Sequence, residues 1–262
     1  MRRQLPCWQE NCSPSPQLSR PDHARPAHAR LAPSPVTPLK LSPHCILFDL
    51  DGTLVDTAPD LGLAANLVRE DLGMAPLPMS HYRPAASGGA RGLLKVALDI
   101  TPEHPEYPDR KDRFLHHYRR HLSRGSRPFP GVAEMLALLE RTGILWGVVT
   151  NKVAALSEPL MSDLGLRGRC ACLVSGDSTP KPKPAPDPLL LACRQVGLAA
   201  GHCIYVGDDE RDILAGRAAH MRTVAAGWGY LGDKPDPHTW SADVVVDTPE
   251  ELAQLIEMRR AA

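Results

Sequence analysis

Residues 45–53 read CILFDLDGT, and this stretch decides the fold. Its first four residues are apolar without alternation, which is typical of a strand buried on both faces in a parallel sheet covered by helices. Asp49, Asp51 and Gly52 follow at the end of that strand. Because ligands of open α/β sheets bind beyond the carboxyl ends of the strands, the sequence predicts that both aspartates face a binding crevice.

Five more β-rich runs follow the first one. They span residues 144–151, 170–176, 203–208, 223–228 and 242–247. The later runs recur at the length of a βα unit, whereas a much longer segment separates the first run from the second. Within that segment, residues 59–125 show helical periodicity and no strand-like alternation. The predicted fold class is therefore α/β, with a parallel sheet core at 44–58 and 126–262 and an inserted small helical cap at 59–125.

The first 43 residues differ in composition from the rest. Nine of the 27 prolines in the 262-residue chain lie there, with six basic and two acidic residues and no glycine. Such a segment is predicted to be a disordered, Pro/Arg-rich extension outside the folded part. It lacks the apolar core of a secretory signal. A basic transit peptide and a tail ahead of the true start codon are the other two interpretations.

Charge and cysteine content narrow the function classes. The chain carries 30 Lys and Arg against 30 Asp and Glu, so no basic excess points to nucleic acid or to a membrane surface. No segment has the ~18 to 20 apolar residues of a membrane span. The seven cysteines are odd in number and scattered, which favours reduced thiols and a cytoplasmic protein. A small, polar, soluble substrate is the expected partner.

The DLDG end of the first strand favours nucleophilic chemistry. Gly52 lets the chain leave the strand at once, so Asp49 and Asp51 can take separate positions, one attacking while the other handles protons. A carboxylate that attacks phosphorus needs a divalent cation, because two anions repel, and Mg²⁺ prefers carboxylate, phosphate and water oxygens. Asp208 and Asp212, at another strand end, are the candidate further ligands.

Two other segments carry polar groups suited to the same site. Thr150 and Asn151 end the second strand, where a hydroxyl and backbone N–H groups can hold phosphoryl oxygens. The segment KPKPAPDP (181–188) alternates proline with other residues ahead of a helix, so it can hold a lysine rigidly. An ammonium beside Asp49 and a phosphate would offset developing negative charge.

These four elements, in this order at four strand ends, resemble the haloacid dehalogenase superfamily over residues 44–262. The resemblance implies a Rossmann-like core with a helical cap, and a Mg²⁺-dependent phosphomonoester hydrolase that forms an aspartyl-phosphate. The superfamily's lysine motif fits Lys183 better than Lys181. The implied catalytic residues are Asp49, Asp51, Thr150 and Lys183; the implied metal ligands are Asp49, Asp51 through its carbonyl, Asp208 and Asp212; and Thr53 and Asn151 are expected at the substrate.

The resemblance also implies a separate role for each of these residues. Asp49 would attack the phosphorus in line. Asp51 would protonate the departing alkoxide and then take a proton from the hydrolytic water. Lys183, Thr150 and the cation would neutralise the phosphoryl group, and the cap would exclude bulk water.

Within the superfamily, segments such as FDLDGTLVDTAPDL and WGVVTNK resemble bacterial phosphoglycolate phosphatases, which makes 2-phosphoglycolate the expected substrate. The same WGVVTNK segment and ADVVVD also resemble N-acetylmuramic acid 6-phosphate phosphatases, so that substrate or another sugar phosphate is an alternative. Residues 87–92 are expected to form a cap loop in which Arg91 binds a substrate carboxylate, unless Arg91 is an ordinary solvated helix residue.

Two more alternatives concern the class of reaction. A phosphomutase would use the same intermediate and return the phosphoryl group to a sugar. A non-catalytic, phosphate-dependent regulator would also combine Asp, Mg²⁺, Thr and Lys, but the large cap and the Asp49/Asp51 pair disfavour it. The protein is expected to be a monomer or a homodimer.

Overall fold

The structure, a computed structural model, describes residues 43–233 and 235–257. The predicted extension at 1–43 lies outside the described residues except for Pro43. In the described part, no helix is long and apolar enough to cross a membrane. The five cysteines found there are free thiols, in line with the expectation of reduced cysteines.

Six parallel strands form the central sheet. They are β1 (Cys45–Phe48), β4 (Leu145–Val149), β5 (Leu173–Val174), β6 (Cys203–Gly207), β7 (Arg222–Ala226) and β8 (Val244–Val246). Their order across the sheet is β5-β4-β1-β6-β7-β8, and every neighbouring pair is parallel. Each of the six β-rich runs supplies one strand, so the predicted α/β class is confirmed.

A two-stranded antiparallel ribbon stands apart from this sheet and was not predicted. It pairs β2 (Val55–Asp56) with β3 (Arg127–Pro128). Each of these strands has two residues, one of them charged, so neither forms the apolar run that marks the strands of the sheet. The ribbon joins the chain where it leaves the core to the chain where it returns.

Four helices lie between the two strands of the ribbon. They are α1 (Ala58–Asp71), α2 (Met79–Tyr82), α3 (Gly89–Leu98) and α4 (Tyr107–His121), and we call them with their connections the cap. Their apolar faces share one buried cluster, which Leu156 and Tyr230 of the core complete. The cap is therefore packed on the core, while the division at residues 59 and 125 stays a prediction.

A buried carboxylate closes the base of the cap. Asp60, in the first turn of α1, accepts hydrogen bonds from Gly125 N at 2.6 Å, from Ser126 N at 2.9 Å and from Ser126 Oγ at 2.6 Å. Buried polar groups are stable only when they are paired, and three donors satisfy this carboxylate. The chain near the start of the cap is thus held to the chain near its end.

Five further helices cover the two faces of the sheet. They are α5 (Val132–Arg141), α6 (Ala154–Asp163), α7 (Asp187–Val196), α8 (Glu210–Ala218) and α9 (Pro249–Glu257). In β1, Ile46 and Phe48 pack in the cluster that contains α5, α6 and α9, whereas Cys45 and Leu47 pack in the cluster that contains α7 and α8. Both faces of the strand are therefore buried, and polar chemistry is left to the end of the sheet.

Candidate active site

Three adjacent strands end at one place in the centre of the sheet. β1 lies between β4 and β6, and the residues that follow these strands are Asp49, Thr150 and Asp208. Parallel strands direct their carboxyl ends to the same edge, where α/β proteins bind their ligands. The topology therefore brings together residues that are far apart in the sequence.

Three carboxylates meet at this edge. Asp49, Asp208 and Asp212 each offer an oxygen, and these oxygens lie within 4.8 Å of one another. Burial raises the pKa of Asp208 well above its ordinary value, and the charges of Asp49 and Asp212 raise it further. Burial likewise raises the pKa of Asp49 to about 7, although Lys183 opposes the effect. Carboxylates that resist ionisation side by side are a favourable place for a cation.

One atom of the cluster supports that interpretation directly. Asp49 Oδ1 is buried and makes no hydrogen bond within the described residues. The Lys183 ammonium lies 2.9 Å away, but its hydrogen bonds go to three other acceptors, so this oxygen keeps its capacity for an ion or water. A hard divalent cation takes such oxygens as ligands, so the residues present fit a metal ion.

Two glycines make room for Asp208. A Cβ at Gly52, whose φ is 88°, would lie 2.2 Å from Asp208 Oδ2, and a Cβ at Gly229 would lie 2.2 Å from Asp208 Cβ. The carboxylate is then fixed by Thr53 Oγ1, which donates to Oδ1 at 2.8 Å, and by Tyr230 N, which donates to Oδ2 at 2.8 Å. Thr53, expected at the substrate, therefore uses its hydroxyl to hold this carboxylate.

Lys183 places a buried cation beside the three carboxylates. Its Nζ donates to Asp212 Oδ1 at 2.7 Å, to Tyr205 Oη at 2.8 Å and to Val149 O at 3.0 Å. An ammonium has three N–H groups, so Asp49 Oδ1, although only 2.9 Å away, receives charge without a hydrogen bond. Burial lowers the pKa of Lys183, but Asp212 and Asp49 outweigh it and raise the pKa above the ordinary value.

The loop that carries Lys183 is held by Asn151. Asn151 Oδ1 accepts from Lys183 N at 3.0 Å, and Asn151 Nδ2 donates to Lys183 O at 3.0 Å. The side chain of Asn151 thus positions the lysine, which leaves its backbone for a phosphoryl group. Lys181, the other lysine of the motif, is exposed. Thr150 is buried, and its Oγ1 accepts from Lys152 N at 3.1 Å.

Asp51 has partners of its own. Its Oδ1 accepts from Thr57 Oγ1 at 2.6 Å and lies 2.8 Å from Lys152 Nζ. Its side chain does not belong to the three-carboxylate cluster, and ligation through its carbonyl stays a prediction. The two aspartates, two residues apart in the sequence, are therefore paired with different lysines.

Lys152 and Tyr205 are site residues that were not predicted from the sequence. Lys152 follows Thr150 and Asn151 directly, so its place after a strand end was the available signal. Tyr205 lies inside a run of apolar residues and reads as a core residue. Its hydroxyl in fact accepts from Lys183 and donates to Val149 O at 2.8 Å. No pattern in the sequence indicates that contact.

Asp212 serves two functions at the start of α8. Asp209 caps this helix by accepting from Arg211 N, and Asp212 Oδ2 accepts from Asp209 N at 3.1 Å. The other oxygen of Asp212 binds Lys183. From the same helix turn, Arg211 Nη2 donates to Ser87 O of the cap at 2.8 Å. The loop expected at 87–92 is wrong, because residues 83–88 form a 3₁₀ helix and residues 89–92 begin α3.

A cavity of about 410 Å³ lies between the cap and these residues. The cap lines it with Arg91 and Lys111, and neither side chain has an ion-pair partner among the described residues. Phe114 and Leu115 of the cap add apolar surface, as does Leu156 of the core. The cavity therefore suits an anion that also has an apolar part.

Residues 46–226 match the profile of haloacid dehalogenase-like hydrolases, and the chain belongs to that family. The chain is 45% identical over 214 residues to a phosphoglycolate phosphatase of Xanthomonas campestris, which covers 80% of this chain and 95% of the relative. It is 41% identical over 212 residues to an N-acetylmuramic acid 6-phosphate phosphatase of Pseudomonas aeruginosa. That match covers 81% of this chain and 94% of the relative. The predicted resemblance is confirmed.

The fold also matches solved structures. A crystal structure of a predicted phosphoglycolate phosphatase from Haemophilus somnus superposes with a TM-score of 0.72 at 28% identity. The match covers 82% of this chain and 99% of that one. The chain therefore shares its overall fold with that structure.

Proposed function

We propose that the protein is a Mg²⁺-dependent phosphomonoester hydrolase that works through an aspartyl-phosphate, with 2-phosphoglycolate as its substrate. The observation that carries the proposal is the separate pairing of the two aspartates. Asp49 lies with Lys183 beside two more carboxylates, and Asp51 lies with Lys152 outside that cluster. The relatives named for phosphoglycolate and N-acetylmuramic acid 6-phosphate support the same reaction class.

In the proposed reaction, a carboxylate oxygen of Asp49 attacks phosphorus while the bond to the leaving oxygen breaks. Asp51 gives that oxygen a proton, and it later takes a proton from the water that hydrolyses the aspartyl-phosphate. Lys183, Thr150 and the backbone of Asn151 hold the phosphoryl oxygens. Each proton removed is returned, so Asp51 ends the cycle in its starting state.

Asp49, Asp208, Asp212 and the Asp51 carbonyl would hold the metal ion. When bound, Mg²⁺ supplies positive charge that lets an anionic nucleophile approach an anionic phosphate. Asp212 already binds Lys183, so its contact with the ion is either direct or through water.

The cavity itself favours a second candidate substrate. A volume of about 410 Å³ lies in the range of pockets for drug-sized ligands, and it is larger than a two-carbon acid requires. The apolar surface from Phe114, Leu115 and Leu156 would suit a sugar with substituents. N-Acetylmuramate 6-phosphate, which also carries a carboxylate for Arg91, is therefore the second candidate.

A phosphatase assay distinguishes these candidates. Purified protein with Mg²⁺ should release inorganic phosphate from 2-phosphoglycolate, N-acetylmuramate 6-phosphate or both, and the ratio of the two kcat/KM values names the better substrate. Glucose 6-phosphate, which lacks a carboxylate, serves as the matched control and should react poorly. Conversion of a sugar phosphate to its isomer without free phosphate would indicate a mutase. Stable phosphorylation without turnover would indicate a regulator.

Metal binding should stabilise the protein, and more so at higher pH. In the metal-free protein the pKa of Asp49 is raised to about 7, so its stabilising protonated form is lost as the pH rises through that value. A cation binds the ionised form and offsets the loss. The increase in melting temperature caused by Mg²⁺ should therefore grow from pH 5.5 to 8 (about the span of the titration). Asp208→Asn should abolish the increase; a shift independent of that residue would place the ion elsewhere.

We also propose that the protein is cytoplasmic and a monomer or homodimer. The free thiols and the balanced charge support the location. Sedimentation of the purified protein would determine the oligomeric state.

A further inference from the structure

Lys152 has a largely buried side chain whose contacts play no part in the proposed reaction. Its side chain is 7% exposed, and its Nζ lies 2.8 Å from Asp51 Oδ1. Burial lowers its pKa, but the charge of Asp51 and the contact with Tyr118 outweigh burial and keep the side chain an ammonium. Burying the charge of this ammonium costs free energy, so the contacts that compensate for the cost are of interest.

Its first contact fixes one oxygen of Asp51. Lys152 Nζ and Thr57 Oγ1, at 2.6 Å, both engage Oδ1, whereas no hydrogen bond to Oδ2 is made within the described residues. A carboxylate held at one oxygen by two donors has a fixed rotation, because turning it would break both contacts. Oδ2 is then the oxygen free to exchange a proton with a ligand in the cavity.

Its second contact is with the cap. Lys152 Nζ donates to Tyr118 Oη at 2.9 Å and lies 4.7 Å from the centre of the Tyr118 ring. Tyr118 is 1% exposed, and its ring packs among the residues of the cap cluster. Lys152 therefore has little freedom to turn away from Asp51, because a rigid cap residue determines where its ammonium lies.

We propose that Lys152 is a positioning residue for the proton-transferring carboxylate Asp51, and that Tyr118 of the cap aligns Lys152 for this purpose. The inference rests on the proposed function, since it takes Asp51 as the acid and base. Lys152 itself exchanges no proton; it holds Oδ1 so that Oδ2 meets the leaving oxygen. Catalysis of the first step then depends on a contact between the core and the cap.

The test compares two leaving groups. An alkoxide, as in 2-phosphoglycolate, needs a proton when it departs, whereas the phenolate of p-nitrophenyl phosphate needs little help. Lys152→Met, which keeps length without charge, should lower kcat/KM for 2-phosphoglycolate about 100-fold, in the range of general acid catalysis, and for p-nitrophenyl phosphate less than about tenfold. Asp51→Asn should also lower kcat/KM more for 2-phosphoglycolate than for p-nitrophenyl phosphate, and by a larger factor. Its loss shows how much activity depends on Asp51 itself.

Tyr118→Phe provides the second variant, since it removes one hydroxyl and keeps the buried ring. It should lower kcat/KM for 2-phosphoglycolate about tenfold and change p-nitrophenyl phosphate hydrolysis little. Lys95→Met is the matched control, because Lys95 pairs with exposed Asp99 on the cap surface; its kinetics should match the wild type.

Two results would overturn the assignment. Equal losses with both substrates in Lys152→Met and Tyr118→Phe would indicate a merely structural role. Unchanged kinetics in both variants would show that Asp51 needs neither residue. A wild-type protein that hydrolyses neither substrate would instead overturn the proposed function, and the assignment of Lys152 with it.

Discussion

Asp49→Asn should abolish turnover and leave the protein folded. The amide keeps the shape of the side chain but cannot attack phosphorus, so phosphate release should fall on the order of 10⁴-fold or more, the size expected for loss of a nucleophile. The measurement is steady-state phosphate release with Mg²⁺. Acid quenching of the wild type during turnover should also trap a phosphorylated protein, and the variant should give none.

The stability of the same variant follows from the charges around it. Burial raises the pKa of Asp49 to about 7, and the charges of Asp212 and Asp51 add to this effect while Lys183 opposes it. A neutral amide avoids the burial of a charge but loses the attraction to Lys183. Because the two effects oppose each other, the melting temperature should change by a few degrees at most, about what 1 kcal/mol produces.

Asp99→Asn is the matched control for the nucleophile. Asp99 is an exposed carboxylate paired with Lys95 on the cap, and its loss should leave phosphate release unchanged. A catalytically active Asp49→Asn variant that is stable to purification and free of deamidation would exclude Asp49 as the nucleophile. Activity that disappears only because the variant unfolds would be recognised from its melting curve.

The central sheet could be predicted because its signal is local. A nearly continuous apolar run such as 45–48 indicates a strand that is buried on both faces. The sequence contains a run of this kind at each of the six strands of the sheet. The ribbon of β2 and β3 was missed because each of its two-residue strands, VD and RP, contains a charged residue and forms no apolar run. Its two strands pair across 70 intervening residues, and a pairing at that distance leaves no local pattern in the sequence.

The candidate site was predictable where a residue type must stand at a strand end. Asp49 and Asp208 follow strands directly, and the sequence placed them together before the sheet order was known. The partners of these residues were not predictable. Thr53 and Asn151 were expected at the substrate, but their side chains hold Asp208 and the backbone of Lys183.

The difference has a physical origin. A short polar side chain beside a site can serve a ligand or a neighbouring residue equally well, and the choice depends on distances of a few tenths of an ångström. Lys152 and Tyr205 illustrate the converse case. In the sequence, Lys152 has the neighbours of a loop residue and Tyr205 those of a core residue. In the structure, Lys152 Nζ lies within 3 Å of Asp51 and Tyr118, and the Tyr205 hydroxyl lies within 3 Å of Lys183 Nζ.

Lys183→Met should be the second most damaging substitution. Lys183 Nζ lies 2.9 Å from Asp49 Oδ1 and 2.7 Å from Asp212 Oδ1, and all three side chains are largely buried. Removing the ammonium leaves two carboxylates without their cation, which costs about 3 to 5 kcal/mol in the metal-free protein. The loss of its charge from the transition state should lower kcat/KM a further ~10²- to 10³-fold with Mg²⁺ present.

The pH dependence of this variant gives a sharper test. Lys183 is the main influence that lowers the pKa of Asp49, so without it that pKa rises further and the carboxyl stays protonated up to a higher pH. Protonation removes the buried charge, so the stability deficit should be small near pH 5 and grow as the pH rises. Urea unfolding at several pH values measures the deficit.

Lys181→Met is the control that the motif itself provides, because Lys181 lies two residues earlier and is exposed. It should match the wild type in both stability and turnover, whereas Mg²⁺ should restore part of the stability of Lys183→Met without restoring its activity. Stability that recovers with Mg²⁺ while activity does not would separate two roles of the Lys183 ammonium. The ion can replace Lys183 as a counter-charge for the carboxylates, but it cannot replace the hydrogen bonds to Val149 and Tyr205 that fix where the charge lies. Equal damage from both lysine substitutions would contradict the assignment of Lys183.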